Sequence, residues 1–182
     1  MITASVDVVP IAEFIKNGDF EGGFTSEGTA LQWARFDNGG RDLADQLYDD
    51  TWPAVVSSGK HSQLIEISSF AEGHGDPYQE PDRYLGICQV ISGLTPKASY
   101  YVSGNGAIRI TTGDEHTNDW SWVAQWGYQV GEDPTCAKWN QVQNWFVIPW
   151  SHVGYRETIP PINSFSQVFY APSSTITVYF RG

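Results

Sequence analysis

Apolar and polar residues alternate most clearly between Trp120 and Val130. One face of this segment collects its large apolar residues, which are Trp120, Trp122, Ala124, Trp126, Tyr128 and Val130. The positions between them are mostly polar or small. Because successive side chains of a strand point to opposite faces, this period of two predicts a β-strand with one strongly aromatic face.

Short runs with strand character recur along the rest of the chain and are separated by turn residues. The runs are 54–57, 62–68, 84–91, 99–111, 120–130, 139–148 and 164–180, the last with a break near Pro172. Residues 42–48 carry the only helical pattern, which suffices for one or two turns. Several short strands at this spacing predict an all-β sandwich.

The first 16 residues differ from this series. Residues 2–15 form an apolar, β-prone run ahead of the first turn signal at Asn17-Gly18, and they are either an extra strand or an arm. A chain of 182 residues suits one hydrophobic core. We therefore expect a single domain over 17–182, preceded by an arm or extra strand over 1–16.

Four segments, taken in order, resemble a known family. They are NGDFEGGF at 17–24, SGKHSQLIEI at 58–67, GICQVISGLTPKASYYVSGNGAIR at 86–109 and FSQVFYAPSSTITVYFRG at 165–182. The set resembles the jelly-roll carbohydrate-binding modules of the xylan- and cellulose-binding, galactose-binding-like superfamily. The third segment is the most specific, because it is similar to their Gln-x-Val-x-Gly-Leu-x-Pro-x-x-x-Tyr hairpin. The resemblance implies a jelly-roll β-sandwich of two antiparallel sheets in an extracellular or cell-surface protein.

The charge of the chain argues against two classes of partner. Ten Lys plus Arg against 21 Asp plus Glu give a formal net charge of −11, which repels nucleic acid and anionic lipid surfaces. We expect no membrane insertion, since no apolar run approaches the roughly 18 residues of a membrane span. Cys88 and Cys136 permit one disulfide, but the sequence leaves open whether they bridge or stay separate thiols.

The resemblance also implies a structural calcium ion. Related modules often hold one between the opening strand, the loop before the second matching segment and the last strand. Glu21 is the best carboxylate ligand here, Asp19 alternates with it on the same face, and backbone oxygens near Lys60 would complete the oxygen shell. The alternative is that Asp19 and Glu21 simply face water at a sheet edge.

Aromatic and hydrogen-bonding side chains are the candidates for binding a glycan. Flat rings stack on the apolar faces of sugars, and amides and guanidinium groups reach sugar hydroxyls. Four candidate rings lie beside turn residues, where exposure is more common: Trp33, Trp52, Tyr78 and Trp139. Six further candidates lie on or near the strand-like runs: Arg109, Trp120, Trp122, Gln125, Trp126 and Gln141. The alternative is that the aromatic face of 120–130 fills the core.

No motif pairs a nucleophile or a metal with an activating base. The four histidines lack metal-site spacing, and there is no Gly-x-Ser-x-Gly elbow. The acidic loops 36–50, 71–83 and 112–119 are either solvated or a polar ligand mouth. We therefore predict that the chain binds a polysaccharide or glycan and is not an enzyme. The alternative is an extracellular structural subunit, of a surface layer or filament, that self-associates through residues 2–15.

Overall fold

The protein is an all-β sandwich in the computed structural model, which describes residues 13–38, 46–67, 84–110, 123–154, 159 and 161–182. The strands are β1 Ala34–Asp37, β2 Gln46–Asp50, β3 Ser62–Glu66, β4 Leu85–Ser92, β5 Ser99–Gly106, β6 Ile108–Ile110, β7 Ala124–Val130, β8 Trp145–Ile148, β9 His152–Gly154, β10 Asn163–Tyr170 and β11 Thr175–Arg181. The described part of the chain contains no α-helix. The predicted fold class is confirmed.

One layer of the sandwich is a five-stranded antiparallel sheet in the order β1-β4-β11-β7-β8. The strand pairs β2-β3 and β5-β10 are also antiparallel, whereas β6 and β9 pair in parallel. The central strands β4 and β11 are buried along most of their length. Burial on both faces explains why β4 is a nearly continuous apolar run, and it also covers the polar Thr177 of β11.

The inner face of the five-stranded sheet packs against the two smaller antiparallel pairs. Ile176 and Val178 of β11 share one core cluster with Leu47 of β2, which is buried. Trp126 of β7 shares a second cluster with Phe165 of β10. These two contacts place β2-β3 and β5-β10 over the same sheet, which gives the two layers of the predicted sandwich.

The alternating segment is a strand over the part that the structure describes, β7. Ala124 and Trp126 are buried, Tyr128 is half-buried and only Val130 at the strand end is exposed. The aromatic face of this strand therefore fills the core. Trp126 lies at its centre, with ring centroids 5.1 Å from Phe146 and 6.0 Å from Tyr128.

Three element predictions are wrong. Residues 46–48, expected to be helical, belong to β2, because Leu47 enters the core and the backbone pairs with β3. Residues 54–57 form no strand, since Val55 donates its N–H to the carbonyl of Trp52 in a turn. The run 139–148 is a strand only over Trp145–Ile148 and begins as a 3₁₀ helix, Trp139–Gln141.

A disulfide between Cys88 and Cys136 fixes residues 131–144 against the outer face of the five-stranded sheet. This settles the question that the sequence left open. We call residues 131–144 the covering segment. Within it the buried Asp133 carboxylate accepts hydrogen bonds from the backbone N–H groups of Ala137 and Lys138. It also accepts the Tyr179 hydroxyl at 2.8 Å. Burial raises the pKa of Tyr179, and this hydrogen bond raises it further.

The end of the predicted arm is joined to the sandwich. Phe14 and Ile15 pack against the core, and the backbone of Lys16 exchanges two hydrogen bonds with the buried Gln89 side chain. The earlier part of the self-association segment, residues 2–12, lies outside the described residues, so the arm and its proposed role stay predictions. In the described ranges no helix is both long and apolar enough to cross a membrane.

Candidate functional site

An exposed indole ring lies beside a guanidinium group at the turn after β2. The Cζ atom of Arg109 is 5.3 Å from the centroid of the Trp52 ring, and Arg109 Nη2 is 3.7 Å from Asp50 Oδ2. Trp52 is 38% exposed, whereas the side chains of Arg109 and Asp50 are only 18% and 16% exposed. We call these three residues the Trp52 cluster.

The strands hold the Trp52 cluster in place from two directions. Asp50 ends β2, where its Oδ1 accepts the backbone N–H of Trp52 at 3.0 Å and its carbonyl accepts the Ser62 hydroxyl of β3. Arg109 is the middle residue of β6, which pairs with β9. The arrangement brings a partly exposed indole, a guanidinium group and a carboxylate together within one small area. Such a set suits a ligand that has both apolar faces and hydroxyl groups.

A second aromatic cluster contains two other predicted residues, Gln125 and Trp139. The Arg181 guanidinium lies between the rings of Tyr84 and Trp145, 3.7 Å from each centroid, and its Nε donates to Gln125 Oε1. Arg181 is buried, so the stacking of its guanidinium between the two rings contributes mainly to packing.

Trp139, the predicted binding ring in this cluster, is half-buried. Its ring centroid lies 5.8 Å from that of Phe36, on which it stacks, and 6.3 Å from that of Tyr84. Trp139 therefore shows only part of its surface to solvent. Gln141, at the end of the same 3₁₀ helix, is exposed. Binding by Gln125, Trp139 and Gln141 stays a prediction.

The predictions that Trp33 and Trp126 bind a glycan are wrong, because both side chains belong to the core. Trp126 has no exposed surface, and its Nε1 donates to Gln167. Trp33 is 9% exposed, donates its Nε1 to the Asn17 carbonyl and packs on Phe180. Neither ring offers a face to a sugar. Turn residues beside Trp33 suggested exposure, but the turn directs the indole inward.

Three more predicted binding residues, Tyr78, Trp120 and Trp122, lie outside the described residues, so their roles stay predictions. The same holds for the acidic loops 71–83 and 112–119.

The predicted calcium ligand Glu21 faces the expected loop, but it meets N–H groups there. Its Oε1 accepts the backbone N–H of Lys60 at 2.7 Å and that of His61 at 2.9 Å. The bond from Lys60 is the main cause that lowers the pKa of Glu21. A side chain at Gly59, which has a φ of +77°, would collide with this carboxylate.

The surroundings of Glu21 Oε1 suit calcium poorly. A hard cation needs several oxygen ligands around it, whereas the groups that face Oε1 are the N–H donors of Lys60 and His61. Asp19 Oδ1 likewise accepts an N–H group, that of Glu21, at 3.2 Å. Among the described residues no group of three or more His, Cys, Asp or Glu side chains could hold a metal. Calcium binding by Asp19 and Glu21 stays a prediction. None of the hydrogen bonds that these two carboxylates accept requires a calcium ion.

Two strongly exposed rings are not among the predicted binding residues: Tyr101 on β5 and Tyr170 on β10, which are 74% and 67% exposed. A signal was present, since both tyrosines alternate with core residues and share their face with serines.

Comparison with known proteins shows the fold and no family. No protein-family model matches the sequence, and no curated protein matches it. Among solved structures, the chain is similar to the enzymatically active domain of tailspike protein 4 from bacteriophage CBA120. The TM-score is 0.50 and the identity 11%, over 92% of this chain and 19% of that chain. This protein therefore corresponds to a small part of the tailspike chain and shares its β-rich fold.

The prediction that the chain is not an enzyme is contradicted, because the similar structure is described as an enzymatically active domain. The lack of a recognisable motif was a weak argument, since catalytic groups brought together by a fold need not be close in sequence. Membership of the carbohydrate-binding modules stays a prediction, whereas the sandwich fold that it implied is confirmed.

Proposed function

We propose that the protein binds a neutral glycan at the Trp52 cluster. The observation that carries the proposal is the contact between an exposed indole and a guanidinium group, backed by a carboxylate. Sugars present apolar C–H faces and a rim of hydroxyls, and this cluster matches both. Stacking on Trp52 would bury the apolar face, while Arg109 donates to hydroxyls and Asp50 accepts from them.

The charge of the molecule favours an uncharged glycan over an acidic one. Asp50 offsets the charge of Arg109 within the cluster, and the whole chain carries −11. A carboxylated or sulfated sugar would therefore meet overall repulsion on approach. A neutral polysaccharide meets no such barrier.

An extracellular location is part of this proposal. The disulfide between Cys88 and Cys136 joins the covering segment to a central strand, and such bonds persist in oxidising compartments. Polysaccharides are also ligands of that environment.

Affinity electrophoresis in gels containing soluble xylan, galactomannan, mixed-linkage glucan or galactan tests the proposal. We expect at least one gel to retard the wild type, and Trp52→Ala to weaken that binding about tenfold or more, which corresponds to roughly 1.4 kcal/mol. Tyr48→Ala is the matched control, because this neighbouring ring of β2 is also 38% exposed. Retardation in no gel, or equal retardation of Trp52→Ala and wild type, would overturn the proposal.

A further inference from the structure

The outer face of the β5-β10 pair carries an uncharged set of side chains. Side chains of these strands alternate, so Val102 and Phe165 enter the core while their neighbours point outward. All eight outward residues are exposed: Ser99, Tyr101, Ser103, Asn105, Ser164, Ser166, Val168 and Tyr170. We call this surface the tyrosine face.

The register of the two strands arranges the tyrosine face into two halves. Tyr101 lies directly opposite Val168, and Tyr170 lies opposite Ser99, so the two phenol rings are diagonal neighbours. Diagonal positions on an antiparallel pair are about 7–8 Å apart, close enough for both rings to contact one ligand. The other half is polar and contains the pair Ser164 and Asn105, whose side chains share a hydrogen bond of 2.6 Å.

The composition of this face points to a hydroxylated ligand. Its eight side chains comprise four serines, two tyrosines, one asparagine and one valine, and none is charged at neutral pH, although the chain as a whole carries −11. Protein-binding surfaces are depleted in serine and enriched in aromatic residues, tyrosine included, and in methionine and arginine. Here the apolar contribution is limited to two amphipathic rings and Val168. A neutral carbohydrate chain, with stacking faces and many hydroxyls, matches this mixture better than a protein does.

We propose that the tyrosine face is a second binding surface, which takes an extended stretch of neutral polysaccharide. Each strand is eight residues long, which at about 3.3 Å per residue gives a surface of roughly 26 Å. One sugar cannot reach from Tyr101 to Asn105 at the far end, whereas several linked sugars can. The surface therefore selects polymers over mono- and disaccharides. This proposal does not rest on the Trp52 cluster.

The double variant Tyr101→Ala/Tyr170→Ala tests the proposal in the same four polysaccharide gels. We expect polymer binding to fall about tenfold, which corresponds to roughly 1.4 kcal/mol, while the melting temperature stays close to that of the wild type. Tyr101→Phe/Tyr170→Phe keeps both rings and should retain most of the binding. Val147→Ala, at a 58% exposed position of β8, is the control for loss of an exposed apolar side chain.

The outcomes separate this surface from the Trp52 cluster and from self-association. Loss of polymer binding in the tyrosine variant, with unchanged binding in Trp52→Ala, supports the tyrosine face and rejects the other site. Equal binding by the tyrosine variant and the wild type overturns the tyrosine face, and so does the failure of every polysaccharide to bind. A wild-type dimer that the tyrosine variant converts to a monomer, measured by light scattering after gel filtration, overturns it in favour of a second copy.

Discussion

Arg109 places its guanidinium carbon 5.3 Å from the ring centroid of Trp52, and so connects β6 with the turn that follows β2. Each residue is a candidate from the sequence, but their contact depends on the packing of strands that are distant along the chain. The contact turns two separate candidates into one site that has both a stacking surface and hydrogen-bond donors. It is the central element of the proposed function.

Removal of a buried indole should destabilise the protein far more than removal of the exposed one. Trp126→Ala takes away a fully buried ring and its hydrogen bond to Gln167, so we expect a loss of about 3–5 kcal/mol in the free energy of unfolding. Trp52→Ala should cost less, about 1 kcal/mol, because its ring is partly exposed. Urea denaturation followed by circular dichroism measures both. Similar losses in the two variants would contradict the assignment of Trp126 to the core.

Loss of the disulfide should lower stability without loss of the sandwich. The bond closes a loop with a sequence separation of 48, and the chain-entropy relation for such a loop gives about 4 kcal/mol. We expect Cys88→Ala/Cys136→Ala to unfold at a correspondingly lower urea concentration. The far-ultraviolet spectrum should keep its β character, because the core clusters of the inner face do not include either cysteine. An unchanged midpoint would show that the bridge does not constrain the unfolded chain.

The hydrogen-bonded Glu21 should make part of the stability depend on pH. Its pKa in the folded protein is lowered by the N–H groups of Lys60 and His61, so the ionised form is bound more favourably in the folded state. This contribution is present above the unfolded pKa of about 4.3 and is lost as the pH falls through the lower folded value. We expect Glu21→Gln to be less stable than the wild type at pH 7, with the difference shrinking below about pH 4.3.

Thermal melts between pH 7 and pH 2.5 measure this difference, and Glu27→Gln removes the same charge from a nearby exposed position as a control. A gap between Glu21→Gln and the wild type that keeps its size down to the lowest pH would refute the ionic role. Melts with and without added calcium test the metal prediction separately. A rise in melting temperature with calcium that disappears in Glu21→Gln would support it.

Sequence patterns predicted the sandwich well where one physical cause dominated. The period of two in β7 and the apolar run of β4 follow from burial, which the local sequence records. The strand β2 was missed because its own sequence has no strand pattern, and its extended conformation depends on the pairing with β3. The segment 139–141 was misassigned because the covering segment is held by Cys136 and Asp133, contacts that no local pattern shows.

The site was harder to predict than the fold. Composition suggested tryptophans, but exposure depends on which side of a strand or turn a ring occupies, and this is why Trp33 and Trp126 proved to be core residues. Trp52 and Arg109 were chosen separately, and only the tertiary structure joins them. The exposure of Tyr101 and Tyr170 could be predicted from their alternation with buried neighbours. Their role as binding residues could not, because serine-rich strands resemble ordinary solvent-facing strands.

A double-mutant cycle by titration calorimetry tests the central claim most directly. The polysaccharide retained most strongly in the gels is titrated into the wild type, Trp52→Ala, Arg109→Ala and the double variant. Because the two side chains touch and would hold one sugar, we expect each single variant to weaken binding and the double variant to lose less than the sum of the two. Affinities unchanged from the wild type in both single variants would contradict the account, since the glycan would then bind elsewhere.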